Sequence, residues 1–157
     1  MFDILHTLFE DPSFTSQVKW TKKKYKAHDK ILEQDTPHPN FYLILKGKVR
    51  VVRHADTTSK QHVQPGIADL SPPDIFGEFG LFDDSPASAD VIAITRSELI
   101  EIEIVTFRAF LDANPKMGYE ILSDILKTLV TRLRRADKTI AGLFAWGIEA
   151  HKIDKEL

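Results

Sequence analysis

Cysteine is absent from the 157 residues, which excludes disulfides, thiolate nucleophiles and any Cys-ligated zinc, iron–sulfur or haem–thiolate centre and suits a cytoplasmic protein. Long hydrophobic runs are missing too. The opening MFDILHTLFEDPSF has no basic leader, and its short apolar runs are broken by His6, Glu10 and Asp11. Neither a signal peptide nor a membrane span is expected. The six histidines show no His-x-x-x-His spacing, and no Ser/His/Asp set has a recognisable elbow, so enzyme chemistry is not indicated. There is no internal repeat and no low-complexity linker. The sharpest deficit is local: residues 61–95 hold six acids (Asp69, Asp74, Glu78, Asp83, Asp84, Asp90) and no Lys or Arg, whereas residues 19–60 hold eleven Lys or Arg against four acids.

With 43% hydrophobic and 28% charged residues, the chain suits one globular domain. Ile4, Leu5, Leu8 and Phe9 predict an amphipathic helix. Phe41 to Leu45, the turn Lys46-Gly47, and Lys48 to Arg53 read as two strands around a glycine turn. Val91 to Ile94 make another strand. Ile100, Ile102 and Ile104 share one face of the last strand, with Glu101 and Glu103 on the other. Turn signals at Pro37, Pro39-Asn40, Pro65-Gly66 and Ser71 to Asp74 suit an antiparallel barrel or roll. Trp20 to Lys26 interleaves aromatic and basic residues; it fits contact with nucleic acid or anionic lipid, or a solvated strand face.

After Ile104 the hydrophobic period becomes helical. Phe107, Phe110 and Leu111 predict a short helix that stops at Asn114-Pro115, which can cap and open the next one. In that helix Leu122, Leu126, Leu129, Leu133, Ala136, Ile140 and Leu143 alternate steps of four and three, a heptad seam that predicts a parallel or near-parallel homodimer. The alternative is that the whole stripe packs on its own domain. Ile121 and Ile125 add a flank suited to leaning on the roll. Past Leu143 the pattern weakens; Phe144 and Trp146 lie off the seam and either fold back on the roll or make a further contact. Residues 1–113 thus form the roll with its short helices, and 114–157 the long helix and tail, of one globular unit.

Phe76, Gly77, Glu78, Phe79, Gly80 and Leu81, followed by an acidic turn and Pro86, Ala87, Ser88 and Ala89, have the form of a phosphate-binding cassette. Glycine admits close backbone approach, and Glu78 is a fixed acceptor for sugar hydroxyls. Upstream stand Ile31-Leu32-Glu33-Gln34-Asp35 and Tyr42-Leu43-Ile44-Leu45-Lys46-Gly47-Lys48-Val49. Over residues 5 to 140 these motifs resemble the cyclic nucleotide-binding domain family, of the kind found in the sensor half of catabolite activator protein-like regulators. In that pattern Gln34 stands in place of a turn glycine. The resemblance implies a mainly β, double-stranded β-helix (jelly-roll-like) fold with an N-terminal helix and a long C-terminal dimerisation helix.

The family carries an arginine on the cyclic phosphate where this chain has Ala87. Two charge-assisted hydrogen bonds at about 1.5 to 3 kcal/mol each make roughly 3 to 6 kcal/mol, on the order of a hundredfold to ten-thousandfold in affinity. Asp90, where the family often has threonine, adds a negative group. Arg50, Arg53, His62, Arg132, Arg134 and Arg135 are the cations elsewhere in the chain that compete for the role against an ordinary solvated position. The family's transcription factors continue into a helix-turn-helix, whereas this chain ends at Leu157, so sequence-specific DNA binding is not expected of it. Two classes of function fit the sequence. One is a small-molecule sensor, whose ligand is a cyclic nucleotide held unusually or another small molecule. The other is a ligand-free dimeric module that recruits a separate effector protein.

Overall fold

The computed structural model describes residues 7–54 and 66–151. Ile4, Leu5, His62 and Pro65 lie outside them. Eight strands are described: β1 (Trp20–Tyr25), β2 (Lys30–Leu32), β3 (Asn40–Lys46), β4 (Val49–Val52), β5 (Gly66–Leu70), β6 (Ile75–Phe76), β7 (Asp90–Ala93) and β8 (Ser97–Glu103). They form two antiparallel four-stranded sheets, in the orders β1-β8-β3-β6 and β2-β7-β4-β5. This is the expected roll. Helix α1 (Pro12–Gln17) is capped by Asp11, whose carboxylate accepts from the Ser13 amide at 2.8 Å, and proline at its first position lacks the N–H that would go unpaired there.

Strand alternation divides the core in two. Phe41 and Leu43 on β3, with Ile100 and Ile102 on β8, face the helices, while Tyr42, Ile44 and Leu99 face the roll interior with Val49, Leu70, Phe76, Ala87 and Val91. Phe14 is fully buried on the helix side, with Phe110 at 5.1 Å and Phe9 at 5.2 Å edge-to-face, so Phe14→Ala would cost about 3 to 5 kcal/mol. Glu101 departs from the simple polar-outward reading. It is buried on the interior face, where the Tyr25 hydroxyl donates to it and Lys23 Nζ lies 2.8 Å away. Burial and the Glu101 carboxylate push Tyr25 well above the ordinary phenol range.

Ile104 belongs to the next helix rather than to β8. Helix α2 (Ile104–Ala113) ends where Asn114 donates through Nδ2 to the Phe110 carbonyl at 2.9 Å, and α3 (Pro115–His151) starts on the expected proline. Ile121 and Ile125 are buried against the roll. Most of the seam is not: Leu129 is partly buried against the roll core, but Leu126, Leu133, Ile140 and Leu143 are 60%, 63%, 55% and 62% exposed. Nor do Phe144 and Trp146 fold back, at 71% and 67% exposed. Helix continues past Leu143 through His151 despite Gly142 and Gly147.

Among the described residues four backbone positions are left-handed, and two of them flank β3. Gly47, at φ 90°, turns β3 into β4, and a Cβ there would stand 2.3 Å from Ser97 Oγ and 2.6 Å from the Arg96 carbonyl oxygen. In the β2–β3 turn the residue with the glycine-like conformation is Asp35, at φ 61°, not Gln34. Asp tolerates this region because its short side chain bonds locally, and Gln34 Nε2 donates to it at 3.1 Å.

Candidate functional site

The cassette leaves β6 through Gly77, at φ 74°, and coils into a 3-10 turn, Glu78–Leu81. The left-handed backbone calls for glycine at 77, where a Cβ would also meet the Asn40 carbonyl oxygen at 3.3 Å; a Cβ on Gly80 would lie 2.6 Å from Ile104 Cδ1, a side-chain end that would have to shift. Phe76 stacks on Tyr42 with ring centroids 4.8 Å apart. Leu81 is buried, whereas Phe79 and Phe82 are about half exposed. At the exit, Ala87 and Ala89 are buried and Ser88 is exposed. The Ala87 amide donates to the Thr36 carbonyl at 3.0 Å, and its carbonyl accepts from the Asp35 amide at 2.8 Å. That residue is therefore sutured to the β2–β3 turn through both of its backbone groups.

Glu78 is 4% exposed and is not left for water. Arg132, on α3, donates through Nη1 to its Oε1 at 2.7 Å and through Nη2 to the Ile75 carbonyl, with Asp74 at 4.0 Å. Burial pushes the Glu78 carboxyl above its ordinary range, and the Arg132 guanidinium opposes that rise. A second arginine grips the same loop from α2: Arg108 donates to the Leu81 carbonyl at 3.0 Å and to the Gly80 carbonyl, and lies 3.6 Å from Asp84. Both C-terminal helices thus hold the cassette through guanidinium groups.

The sequence offers Arg132 only as one of six candidate cations for a ligand, against an ordinary solvated position, and does not single out Arg108. A signal for Arg132 does exist. Ile121, Ile125, Thr128 and Arg132 step by four, three and four along the roll-facing side of α3, so this arginine closes a buried stripe. Arg134 and Arg135 are exposed, and Arg50 is engaged by Asp69 in two bonds of 2.7 and 3.0 Å.

The acidity of residues 61–95 is also answered from outside that segment. Lys48 and Arg50 pair with Asp69, Arg132 with Glu78, and Arg108 with Asp84. Asp90 does not confront the cassette. Val91 faces the roll interior, so alternation turns Asp90 to the opposite face of β7. There it is buried and accepts from the Gln34 amide at 2.7 Å, from His54 Nε2 at 2.8 Å and from Lys30 Nζ at 3.1 Å. Burial acts to raise its pKa, but these three partners hold the carboxyl below its ordinary value.

The basic strand meets its complement in the same way. Lys19 pairs with Glu103, Lys22 and Lys24 with Glu98, and Lys23 with Glu101, so ion pairs run between the β1 flank and β8. A polar cleft of about 680 Å³ opens on that flank, beside Lys19, Thr21, Asn40 and Glu103. Beside the cassette is an apolar groove of about 480 Å³, lined by Phe82, Tyr119, Leu122, Leu126 and Leu129. Among the described residues no group of three or more His, Asp or Glu is placed to hold a metal ion, and no helix is long and apolar enough to cross a membrane.

Residues 22–114 match the family model for the cyclic nucleotide-binding domain. The chain is 26% identical over 113 residues to a CRP-like cAMP-activated global transcriptional regulator of Mycobacterium tuberculosis, covering 72% of this chain and 47% of that one. It is 31% identical over 121 residues to the cAMP-activated global transcriptional regulator CRP of Haemophilus influenzae, covering 76% and 50%. It thus spans about half the length of these curated relatives. Its fold superposes on the catabolite activator protein of Thermus thermophilus with a TM-score of 0.63 at 26% identity, over 79% of this chain and 55% of that one.

Proposed function

This chain belongs to the cyclic nucleotide-binding domain family, and we propose that it serves as a cytoplasmic, homodimeric regulatory module in small-molecule signalling. In it the cassette carboxylate is held by an internal arginine rather than kept free for cyclic AMP or cyclic GMP. The observation that carries this reading is the 2.7 Å bond from Arg132 to Glu78. A sugar hydroxyl that engages Glu78 has to compete with a charge-assisted bond, which is about twice as strong as a neutral one. With Ala87 buried in the interior cluster, the cassette itself brings no guanidinium to a phosphate.

The ligand compatible with these groups is either a small molecule with less negative charge than a cyclic nucleotide, or a nucleotide that draws Arg132 from Glu78 to its own phosphate. In both cases the Arg132 contact on α3 changes, and the helix that bears the exposed seam feels it. That is a helix-shift switch driven by differential affinity for two states. Calorimetry on the purified chain is expected to show no binding of cyclic AMP or cyclic GMP tighter than about micromolar, and Ala87→Arg to create or strengthen it. Submicromolar binding to the unmodified chain overturns the reading.

A second reading, a ligand-free module that docks an effector protein, draws on the half-exposed Phe82 and the apolar groove it shares with Tyr119 and Leu122. It predicts that no small molecule changes amide exchange in α3.

A further inference from the structure

The unpartnered face of α3 carries more than leucines. With Leu126, Leu133 and Ile140 as the a positions of the heptad and Leu129, Ala136 and Leu143 as the d positions, the flanking g positions are Ile125, Arg132 and Thr139. The flanking e positions are Val130, Asp137 and Phe144. Parallel, in-register helices bring each g residue beside the e residue five positions later on the other chain. Thr139 then meets Phe144 and Arg132 meets Asp137, while Ile125, 1% exposed, stays with its own roll. The single charged pairing in this stretch is attractive.

Antiparallel pairing sets g against g and e against e. Arg132 then faces Ile125, Thr139 or another Arg132, and Asp137 faces Val130, Phe144 or another Asp137, so the flanking positions of an antiparallel partner bring neither an opposite charge. Asp137 is exposed and makes no ion pair within 4 Å among the described residues, although Arg134 stands three positions before it; Arg132, five positions before it, points away on the same helix. Arg132 commits one nitrogen to Glu78 and another to the Ile75 carbonyl, and a guanidinium has five N–H donors to share.

We infer that a second copy of this chain covers the seam in parallel register, and that Arg132 bridges its own Glu78 and Asp137 of the partner subunit. The inference rests on the dimer proposed above and names what that dimer adds to the cassette: a carboxylate from the second chain at the buried ion pair. Glu78 and the partner's Asp137 then compete for one guanidinium, which ties cassette state to helix pairing.

The absence of native cysteine makes the register directly testable. Leu126→Cys and Leu143→Cys, made one at a time in the full chain and oxidised mildly, are each expected to give a covalent dimer, since only parallel in-register helices bring both positions against their own copies. Asp137→Asn should raise the dimer dissociation constant about fivefold and Asp137→Lys on the order of thirtyfold, from two symmetry-related pairs worth about 0.5 to 1 kcal/mol each. The dependence on salt should weaken in the Asn variant. A dimer in which either cysteine fails to couple overturns the register, and coupling at both with no effect of Asp137→Lys overturns the bridge. A monomer at tens of micromolar refutes the underlying dimer instead, so the two failures are distinguishable.

Discussion

Replacing Arg132 with alanine tests whether the cassette is held by electrostatics or by packing alone. The substitution strands Glu78, whose side chain is 6% exposed, and removes a donor from the Ile75 carbonyl. Breaking a fully buried ion pair costs about 3 to 5 kcal/mol, but the Arg132 side chain is 27% exposed and water screens part of that, so about 2 to 3 kcal/mol is expected at pH 8. For a domain this size, with a urea m-value of about 2 kcal/mol per molar, the midpoint falls by about 1 to 1.5 M.

The loss should depend on pH with a definite sign. Burial already raises the Glu78 pKa, and without the guanidinium it rises further. A group whose folded pKa is raised contributes stability below its unfolded value, near 4.5, and loses it as pH climbs through the folded one. Arg132→Ala is therefore less damaging at pH 5 than at pH 8, relative to the unmodified chain at each pH. Glu78→Gln added to Arg132→Ala should recover part of the loss at pH 8. Urea titrations that give a loss below about 0.5 kcal/mol at both pH values would refute the reasoning, and the latch would then be an ordinary surface contact.

Leu133→Asp places a charge in the exposed seam and should convert a dimer to a monomer by light scattering while leaving the far-ultraviolet dichroism of the roll intact. Asp90, held below its ordinary value near 3.8 by Gln34, His54 and Lys30, contributes stability above that value that is lost as pH falls through its folded pKa; thermal melts of Asp90→Asn should lack this acid-side decline. Gly47→Ala, at φ 90° with a Cβ 2.6 Å from the Arg96 carbonyl oxygen, should cost at least about 3 kcal/mol. Asp35→Gly, at φ 61°, should gain about 0.5 to 1 kcal/mol in urea unfolding, the relief of the left-handed strain less the entropy of glycine.

The strands around Gly47, the helix stop at Asn114-Pro115 and the buried Ile121 and Ile125 were legible because each depends on spacing along one segment. The cassette was legible as a shape for the same reason. Its electrostatics were not. Counting charge over residues 61–95 treated neighbours in sequence as neighbours in space, whereas Lys30, Lys48, Arg50, His54, Arg108 and Arg132 all arrive from other elements. Alternation on β7 turned Asp90 away from the interior, a sign that pattern alone could not assign without knowing that Val91 points in. The a/d spacing marked which residues of α3 stand clear of the roll, for Leu126, Leu133, Ile140 and Leu143 are exposed, but spacing could not show that Leu129 leans on the core.

The lysines of β1 have one more consequence. In the order β1-β8-β3-β6, β1 stands at the rim of its sheet, where unsatisfied backbone N–H and C=O groups invite a strand from another molecule. Lys22, Lys23 and Lys24 are drawn across to Glu98 and Glu101 on one side, and an incoming strand would have to accommodate three adjacent ammonium groups. Charge at a sheet rim is a recognised guard against edge-to-edge association. The run that resembled a binding surface in the sequence thus serves as a charged guard on a free sheet edge.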